Sequence, residues 1–458
     1  MTAADPLDPY GPVDPAAVAA RIDELLPEVL EDLAGLVAIP SISPDPVHVA
    51  DVRASAEAVA ELLRGADCPD VRIVSAGGAP AVIGRYPAPP GAPTVTLYAH
   101  HDVQPTGDPA GWTSEPFTVT RRGDRLYGRG VVDDKAGIAV HLAALRAFGG
   151  RPPVGVTVVV EGEEEQGSPT LESLLDRYRE DLAAEVFVIT DSGNWDVGVP
   201  AFTTTLRGLV DCTVTVRTLD HALHSGQFGG VAPDALTALC RLVATLHDER
   251  GNVAVEGLVR HPGPDLEYPA DRLAAESGIL PGVDQLGDGP VTERLWTRPA
   301  ISVIGIDATP VDRASNTLAP SARAKLSLRL APGQDPKAAM EALAAHLASH
   351  APWSAQVEVV PGEAGAPGEV PLEGPYAEAA IEAFTAAWGR EPVTVGQGGS
   401  IPVVAAFGRL FPEATVLVTA VADPDSRMHG LDESLHLDDF RRACVAETLL
   451  LAGVRDRG

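Results

Sequence analysis

The sequence predicts an α/β protein in which a mostly parallel sheet is flanked by helices, with a smaller α+β domain inserted into it. Between residues 16 and 191, short apolar strands alternate with amphipathic helices, which favours parallel strands covered by helices. After about residue 207 the predicted order becomes β-α-β-β-α-β, the split βαβ layout of ferredoxin-like domains. We therefore expect a larger domain at 1–206 and 365–458 and an inserted domain at 207–364.

The spacing of apolar residues predicts the elements of the first part of the chain. Apolar residues from Val18 to Leu36 recur at helical spacing and Pro40 ends the segment, so a helix is predicted over 16–37. The continuous apolar run Val154–Val160 is typical of a buried strand. The other predicted elements are a helix over 54–63, strands over 71–75, 81–86 and 94–99, helices over 136–148 and 171–178, and a strand over 185–190.

The second part of the chain is predicted in the same way. Pro233 begins a helix that runs to residue 247, and residues 250–298 form a long irregular insert. Residues 361–370, PGEAGAPGEV, are predicted to be a linker, after which a helix over 376–388 and a strand over 414–419 return to the first domain. The remaining elements are strands over 209–216, 301–306, 324–330 and 356–360 and a helix over 336–349.

The composition is typical of a soluble globular protein, with 45% hydrophobic residues and a formal net charge of −30 at pH 7. This charge argues against nucleic acid and anionic membranes as partners. No apolar run is long enough to span a bilayer. The four cysteines form no CxxC motif and are expected to be reduced. The N-terminus lacks a basic start and an apolar stretch, so we expect no signal peptide and a cytoplasmic location.

An acidic segment directly follows the apolar run that ends at Val160. Its sequence, EGEEEQGS, covers residues 161–168. Clustered carboxylates raise one another's pKa, so a bound cation, or a proton to be transferred, would relieve the cost of placing them together. Adjacent residues of an extended chain point to opposite sides. One residue of the pair Glu164 and Glu165 is therefore predicted to hold a metal, and the other to face a reacting water. A solvated acidic loop is the alternative interpretation.

Other acidic residues also follow predicted strands. Asp102 comes shortly after the strand over 94–99, and Asp191 directly follows the strand over 185–190. Ligands of open α/β sheets bind at the carboxyl ends of the strands. We therefore expect Asp102, Asp191 and the glutamate pair to share one site.

The residue types in this pattern indicate divalent metal ions. A mixture of imidazole and carboxylate suits zinc, manganese or cobalt better than calcium or magnesium. Five ligands exceed the needs of one tetrahedral ion but fit two ions that share one carboxylate. Asp102 faces the same side of the extended chain as His100 and is predicted to orient its imidazole. The candidate ligands are His100, Asp133, Glu165, Asp191 and His429.

Each candidate also has a simpler explanation when it is taken alone. A single histidine is commonly a surface or core residue, and the segment 133–135 could cap a helix beside an ion pair. Asp191 could begin a turn, and His429 could stand at a loop corner. Their shared position at strand ends or before a helix favours a single site.

Eight segments, in chain order, carry a resemblance to a known family. They are YAHHDVQP at 98–105, LYGRGVVDDKAG at 126–137, EGEEEQGS at 161–168, TDSGNW at 190–195, LHSGQFGG at 223–230, KLSLRLAPGQ at 325–334, GQGGSIPVV at 396–404 and MHGLDE at 428–433. They resemble metallopeptidase family M20, in particular its carnosinase-like and cytosolic nonspecific dipeptidases. HxD, DDK and the glutamate pair are family-wide, whereas LHSGxFGG and GGSIPV are typical of the dipeptidase branch.

The resemblance implies two divalent metal ions per subunit, zinc above all, with manganese or cobalt as alternatives. It implies that His100 and Asp191 hold one ion, that Glu165 and His429 hold the other, and that Asp133 bridges them. It also implies a cis peptide bond between residues 133 and 134. Glu164 would be the general base that acts on a metal-bridging water, with Asp102 orienting His100.

For the substrate, the resemblance implies contacts that come mainly from the inserted domain. Arg329 would bind the C-terminal carboxylate, with Ser400 lining the same pocket. His224 would stabilise the oxyanion, reaching in from the other subunit of a homodimer. Asn316 falls at a position that is usually polar and faces the substrate, although its context SNTLAP departs by one residue from the commoner spacing.

The sequence therefore predicts a dinuclear metal-dependent dipeptidase that acts on small peptides with a free C-terminal carboxylate. An N-acyl-amino-acid deacylase or a carboxypeptidase of the same family would use the same ligands. A non-catalytic metal-binding protein is a more distant alternative, since such a protein would be expected to lose Glu164 or a ligand.

Overall fold

The computed structural model describes residues 6–399 and 401–458. The chain divides into two compact units. The larger unit comprises the chain up to Thr204 together with Val370–Val395 and Pro402–Gly458, and the smaller unit comprises Thr205–Glu369 and Gly396–Ile401. The predicted α/β class is confirmed, because both units combine helices with sheets.

The strands of the described residues are numbered in chain order. They are β1 (Asp70–Val74), β2 (Ala81–Tyr86), β3 (Thr94–His100), β4 (Thr120–Arg122), β5 (Arg125–Tyr127), β6 (Gly155–Glu161), β7 (Val186–Ile189), β8 (Ala201–Leu206), β9 (Gly208–Arg217), β10 (Leu223–His224), β11 (Ala300–Asp307), β12 (Thr317–Leu318), β13 (Ser321–Leu330), β14 (Gln356–Gly365), β15 (Gly368–Glu369), β16 (Val393–Gln397), β17 (Thr415–Val418) and β18 (Ser434–His436).

The helices are numbered in the same way. They are α1 (Pro15–Val37), α2 (Val49–Gly65), α3 (Lys135–Ala147), α4 (Leu171–Arg177), α5 (Arg179–Leu182), α6 (Ser225–Phe228), α7 (Ala235–Ala244), α8 (Ala270–Ser277), α9 (Pro336–Ser349), α10 (Pro375–Trp388), α11 (Pro402–Leu410) and α12 (Leu437–Arg455). In the described part of the chain, no helix is long and apolar enough to cross a membrane.

The larger unit is built on a six-stranded sheet in the order β1-β2-β6-β3-β7-β17. The four strands β6, β3, β7 and β17 are parallel to one another, whereas β1 and β2 add an antiparallel edge. Every residue of β6 is buried, as its continuous apolar sequence predicts. Helix α3, buried along nearly its whole length, packs against α1, α12 and β3 and completes the core on one face of the sheet.

The smaller unit contains a four-stranded antiparallel sheet in the order β11-β13-β9-β14, packed against α7 and α9. Its chain order, β9-α7-β11-β13-α9-β14, matches the predicted β-α-β-β-α-β pattern. Alternate residues of β13 are buried, since one face of the strand packs on the helices. β10 and β12 form a two-stranded antiparallel ribbon, and β12 directly precedes β13 in the sequence.

Several elements differ from the sequence prediction, and one of them is α8, which lies within the insert over 250–298 that was expected to be irregular. The predicted linker over 361–370 is wrong, because β14 continues to Gly365 and β15 follows it. β14 is an edge strand with a register shift after Pro361, and a proline without an N–H group is tolerated at such a position. The prediction also omits α12, whose 19 residues are mostly buried and therefore lack a clear polar face.

Candidate metal centre

The carboxyl ends of three neighbouring parallel strands place the first site residues. β3 lies between β6 and β7 in the sheet, and the paired residues of these strands are level at their ends. His100 is the last residue of β3, and Asp191 follows β7 by two residues. A short 3₁₀ turn, Glu164–Gln166, follows β6. The sheet therefore brings the imidazole and the acidic residues of three distant segments to one edge.

Asp133, just before α3, lies between two imidazoles. Its Oδ1 is 3.2 Å from His100 Nε2, and its Oδ2 is 3.1 Å from His429 Nε2. His429 Nε2 is also 3.1 Å from Glu165 Oε2. The two oxygens of Asp133 thus face different histidines, which is the arrangement that a carboxylate needs to be shared between two cations.

The predicted ligands form two overlapping clusters. One nitrogen or oxygen atom from each of His100, Asp133 and Glu165 lies within 4.8 Å of the others, and the same holds for His100, Glu164 and Asp191. His100 belongs to both clusters. The side chain of His429 is 58% exposed, whereas those of Asp133 and Glu165 are 7% and 3% exposed. The centre is therefore buried on the side of the sheet and open on the side of His429.

The pKa values of these groups show a crowded cluster of charges. Burial raises the pKa of Asp191 to about 7. Burial, with the charge of Asp191, raises the pKa of Glu164 well above its ordinary value. Hydrogen bonds to Asp133 and Glu165 raise the pKa of His429 to about 10. Without metal, Glu164, Asp191 and His429 therefore bind protons more strongly than usual, and a divalent cation would replace those protons.

The donors present fit a divalent metal ion. Two imidazoles and four carboxylates converge within a few ångströms, and the nitrogen and oxygen types match zinc, manganese or cobalt. Burial lowers the pKa of His100, but its hydrogen bonds to Asp102 and Asp133 outweigh burial and leave the pKa well above its ordinary value. A divalent cation bound by Nε2 would take the place of the proton on that nitrogen.

Asp102 orients both His100 and the glutamate pair. His100 Nδ1 is 3.0 Å from the backbone oxygen of Asp102 and 3.4 Å from its Oδ1. A carbonyl oxygen can only accept, so Nδ1 carries a proton and Nε2 is the nitrogen that faces Asp133. The Asp102 carboxylate also accepts from the N–H groups of Glu164 at 3.3 Å and Glu165 at 3.0 Å. The hydroxyl of Ser43 donates to it at 2.5 Å.

The acidic turn is anchored by residues that the sequence did not single out as site residues. Gln104 Nε2 donates to the backbone oxygen and to Oε2 of Glu165, both at 2.9 Å. The buried carboxylate of Glu163 accepts from the N–H groups of Ala79 at 2.9 Å and Thr170 at 2.7 Å. Glu163 therefore holds the loop in place instead of joining the metal ligands.

A buried ion pair, Arg129–Glu433, joins the loops that carry Asp133 and His429. Arg129 Nη1 is 2.6 Å from Glu433 Oε2, and both side chains are almost completely buried. The Glu433 carboxylate also accepts from the N–H groups of Gly130 at 3.0 Å, Val132 at 3.1 Å and Asp133 at 3.2 Å. The one feature of the sequence that pointed to Glu433 is its place at the end of the MHGLDE motif.

The segment 133–135 was alternatively explained as a helix cap beside an ion pair, and the structure shows neither feature there. The peptide bond between Asp133 and Asp134 is cis, as the family resemblance implied. Asp134 precedes α3, but its side chain makes no cap hydrogen bond and accepts instead from the N–H of His100 at 3.3 Å. Lys135 Nζ donates to the backbone oxygens of Leu36 at 2.8 Å and Ile39 at 2.9 Å.

The residues predicted to contact substrate belong to the smaller unit. His224 pairs with Thr317 between β10 and β12, and the N–H of Ser225 donates to the backbone oxygen of Asn316 at 2.9 Å. His224 and Asn316 are therefore neighbours on one exposed ribbon. Arg329 stands near the other end of β13. Ser400 lies outside the described residues.

Comparison with known proteins agrees with this geometry. The family model of peptidase family M20/M25/M40 matches residues 96–452. The chain is 37% identical to the cysteinylglycine-S-conjugate dipeptidase of Corynebacterium striatum, over 79% of this chain and 81% of that protein.

Solved structures share the fold. Human carnosine dipeptidase 1 superposes with a TM-score of 0.80 at 24% identity and covers 97% of this chain and 99% of its own. An M20 family metallo-carboxypeptidase from Sulfolobus solfataricus gives a TM-score of 0.78 at 24% identity, covering 94% of this chain and 99% of its own. The resemblance inferred from the motifs is thus confirmed over most of the sequence, and the chain belongs to peptidase family M20/M25/M40.

Proposed function

We propose that this protein is a dipeptidase that uses two divalent metal ions, zinc in the first place, to hydrolyse short peptides with a free C-terminal carboxylate. The observation that carries the proposal is the division of the Asp133 carboxylate between His100 at 3.2 Å and His429 at 3.1 Å. The 37% identity to a dipeptidase over most of both chains supports the same reaction class.

In this proposal His100 and Asp191 would hold one ion, Glu165 and His429 would hold the other, and Asp133 would be shared between them. When bound, such a pair supplies an acidified water as nucleophile and a positive charge for the oxygen that becomes negative during the reaction. The Nδ1–H of His100 donates to the backbone oxygen of Asp102, so Nε2 is the nitrogen left to bind the metal.

Glu164 is the group that moves the proton. Its N–H is fixed by Asp102, whereas its carboxylate makes no hydrogen bond within the described residues and can accept from a water molecule. The ionised carboxylate takes the proton of the attacking water and then gives it to the amine that leaves. Cations at the neighbouring ligands favour the ionised carboxylate that this role requires, because they oppose the rise in pKa caused by burial.

Arg329 binds the carboxylate of the substrate, because its planar guanidinium can donate two parallel hydrogen bonds. Ser400 completes the carboxylate pocket in this proposal. A fixed position for the C-terminal carboxylate limits the length of the peptide and makes dipeptides the preferred substrates. Asn316 and His224 contact the substrate from a different subunit.

The length of β13 supports this arrangement across subunits. His224 pairs with Thr317, which precedes Ser321 at the start of β13, whereas Arg329 is near its end. At about 3.3 Å per residue, the strand separates Ser321 from Arg329 by about 26 Å. A dipeptide spans at most about 7 Å. The strand thus places Arg329 far from the end of β13 that the ribbon of His224 precedes, which favours contacts with different substrates. We propose a homodimer in which the partner subunit's His224 completes each site.

The proposal is tested with protein stripped of metal by a chelator and refilled with zinc, manganese or cobalt. The substrates are a set of dipeptides that includes a cysteinylglycine S-conjugate, one tripeptide and one N-acetyl amino acid. We expect activity only after metal is returned, and only toward dipeptides. Cleavage of the N-acetyl amino acid alone would assign the protein as a deacylase, and cleavage of longer peptides from the C-terminus would assign it as a carboxypeptidase. If protein that has bound two ions cleaves none of these substrates, that result would contradict a catalytic role.

A further inference from the structure

Arg207 of the smaller unit is a buried cation without a described anionic partner. Arg207 is only 9% exposed, and its Nε is buried without a hydrogen bond among the described residues. The side-chain contact that the structure gives it is from Nη1 to the backbone oxygen of Arg294, at 3.4 Å. Arginine is seldom this deeply buried unless it is paired, because removing its charge from water is costly.

A second arginine lies beside it. Arg329 on β13 pairs in register with Leu209 on β9, and Arg207 stands two positions before Leu209, so the two arginines are diagonal neighbours on the same face. Burial and the charge of Arg329 lower the pKa of Arg207 to about 10. Among the described residues, no carboxylate forms an ion pair with either arginine. Two guanidinium groups in this position attract an anion.

The backbone around Arg207 leaves room for a small ligand. The N–H of Arg207 donates to the backbone oxygen of Gln397 at 3.0 Å, which holds the segment 396–399 against it. A Cβ atom at Gly398 would lie 3.0 Å from Arg207 Nη2, closer than ordinary van der Waals contact. Glycine at this position therefore keeps one side of the guanidinium open.

We propose that Arg207 and Arg329 together bind the C-terminal carboxylate of the substrate, so that Arg207 is a specificity-determining residue. This inference rests on the proposed function, in which Arg329 alone was assigned to that carboxylate. The paired guanidiniums account for a strict requirement for a free carboxylate, since a neutral C-terminal amide would leave two buried or half-buried cations without a counter-ion.

The test compares Arg207→Gln with Arg207→Lys and with the control Arg217→Gln, which changes an exposed arginine at the far end of β9. Hydrolysis of a dipeptide and of its C-terminal amide is measured with zinc-loaded enzyme. For Arg207→Gln we expect KM for the dipeptide to rise at least about tenfold with kcat nearly unchanged. We expect Arg207→Lys to recover part of the loss and Arg217→Gln to match the parent protein. An unchanged KM in Arg207→Gln would overturn the proposal.

A second measurement does not depend on catalysis. The thermal midpoint of the zinc-loaded parent protein is recorded with and without millimolar acetate, the simplest carboxylate. We expect acetate to raise the midpoint of the parent and of Arg217→Gln but not that of Arg207→Gln, which must itself unfold cooperatively. If acetate protects the parent and Arg207→Gln equally, the anion site is refuted. If it protects only the parent and the control, yet no dipeptide is cleaved, the anion site stands and the dipeptidase proposal fails.

Discussion

The Glu433 carboxylate accepts a hydrogen bond from the N–H of Asp133 at 3.2 Å. The same carboxylate accepts from Gly130 and Val132 and pairs with Arg129. Because Glu433 lies four residues after His429, it fixes the distance between two ligand-bearing loops. Glu433 acts through the residues it positions, and it does not itself face the centre.

Replacing Glu433 with Gln should weaken metal binding. The Glu433 carboxylate accepts hydrogen bonds from Arg129, Gly130 and Val132. The amide nitrogen of Gln cannot accept, so at least one of these hydrogen bonds to the loop before Asp133 would be lost. We expect the metal affinity to fall by about 10- to 100-fold, as is usual when a residue that holds a ligand is changed. Calorimetric titration of zinc into stripped protein measures this, with Glu413→Gln, an exposed position, as control. Equal affinity in both variants would show that the Asp133 loop does not depend on Glu433.

Replacing Glu164 with Gln should abolish proton transfer and leave the metal in place. Since general bases typically contribute about 10²- to 10⁴-fold, we expect kcat to fall within that range. The metal content, measured by atomic emission, should stay at the parent value. The matched control is Glu31→Gln on the exposed side of α1. A Glu164→Gln protein with full metal and unimpaired kcat would exclude Glu164 as the base.

Glu161, the last residue of β6, should make stability depend on pH. Burial raises its pKa to about 7, and its Oε2 accepts from Tyr98 Oη at 2.6 Å. The folded protein therefore keeps a proton that the unfolded chain releases near pH 4.5, so stability falls as the pH rises from about 4.5 to 7.

A Gln at position 161 keeps the acceptor for Tyr98 and does not titrate. We therefore expect Glu161→Gln to gain stability over the parent between pH 5 and pH 8, by at most about 3 kcal/mol. Chemical unfolding of metal-free protein at the two pH values measures the difference. A parent and a variant with the same pH dependence would show that Glu161 is ionised in both states.

Mixed dimers should reveal whether His224 acts across subunits. Glu164→Gln and His224→Ala should each be inactive as homodimers. In a mixed dimer, the His224→Ala subunit keeps its own Glu164 and receives the partner's His224, so one of two sites works. Random co-assembly should therefore restore about a quarter of the parent activity, since half of the dimers are mixed. Glu164→Gln mixed with Arg329→Gln should restore nothing, because both residues serve their own subunit. Equal results from the two mixtures would contradict the assignment.

The sequence predicted those parts of the centre that depend on local pattern. An apolar run followed by polar residues located His100, Asp191 and the glutamate pair, because strand ends meet at one edge of a parallel sheet. Arg129–Glu433 and Arg207–Arg329 depend on contacts between residues more than 100 positions apart, which no local pattern records. A linker was predicted over 361–370 because the segment is rich in proline and glycine, but at a sheet edge these residues are compatible with a strand.

The order of the ligands along the chain has a consequence for synthesis. Four of the five proposed ligands lie at or before Asp191, whereas His429 comes 238 residues later. A nascent chain emerging from the ribosome therefore carries the first ion's ligands long before the second ion's set is complete. Metal capture by the growing polypeptide would begin at the His100–Asp191 side, and hydrolytic competence would arise only after His429 has been added.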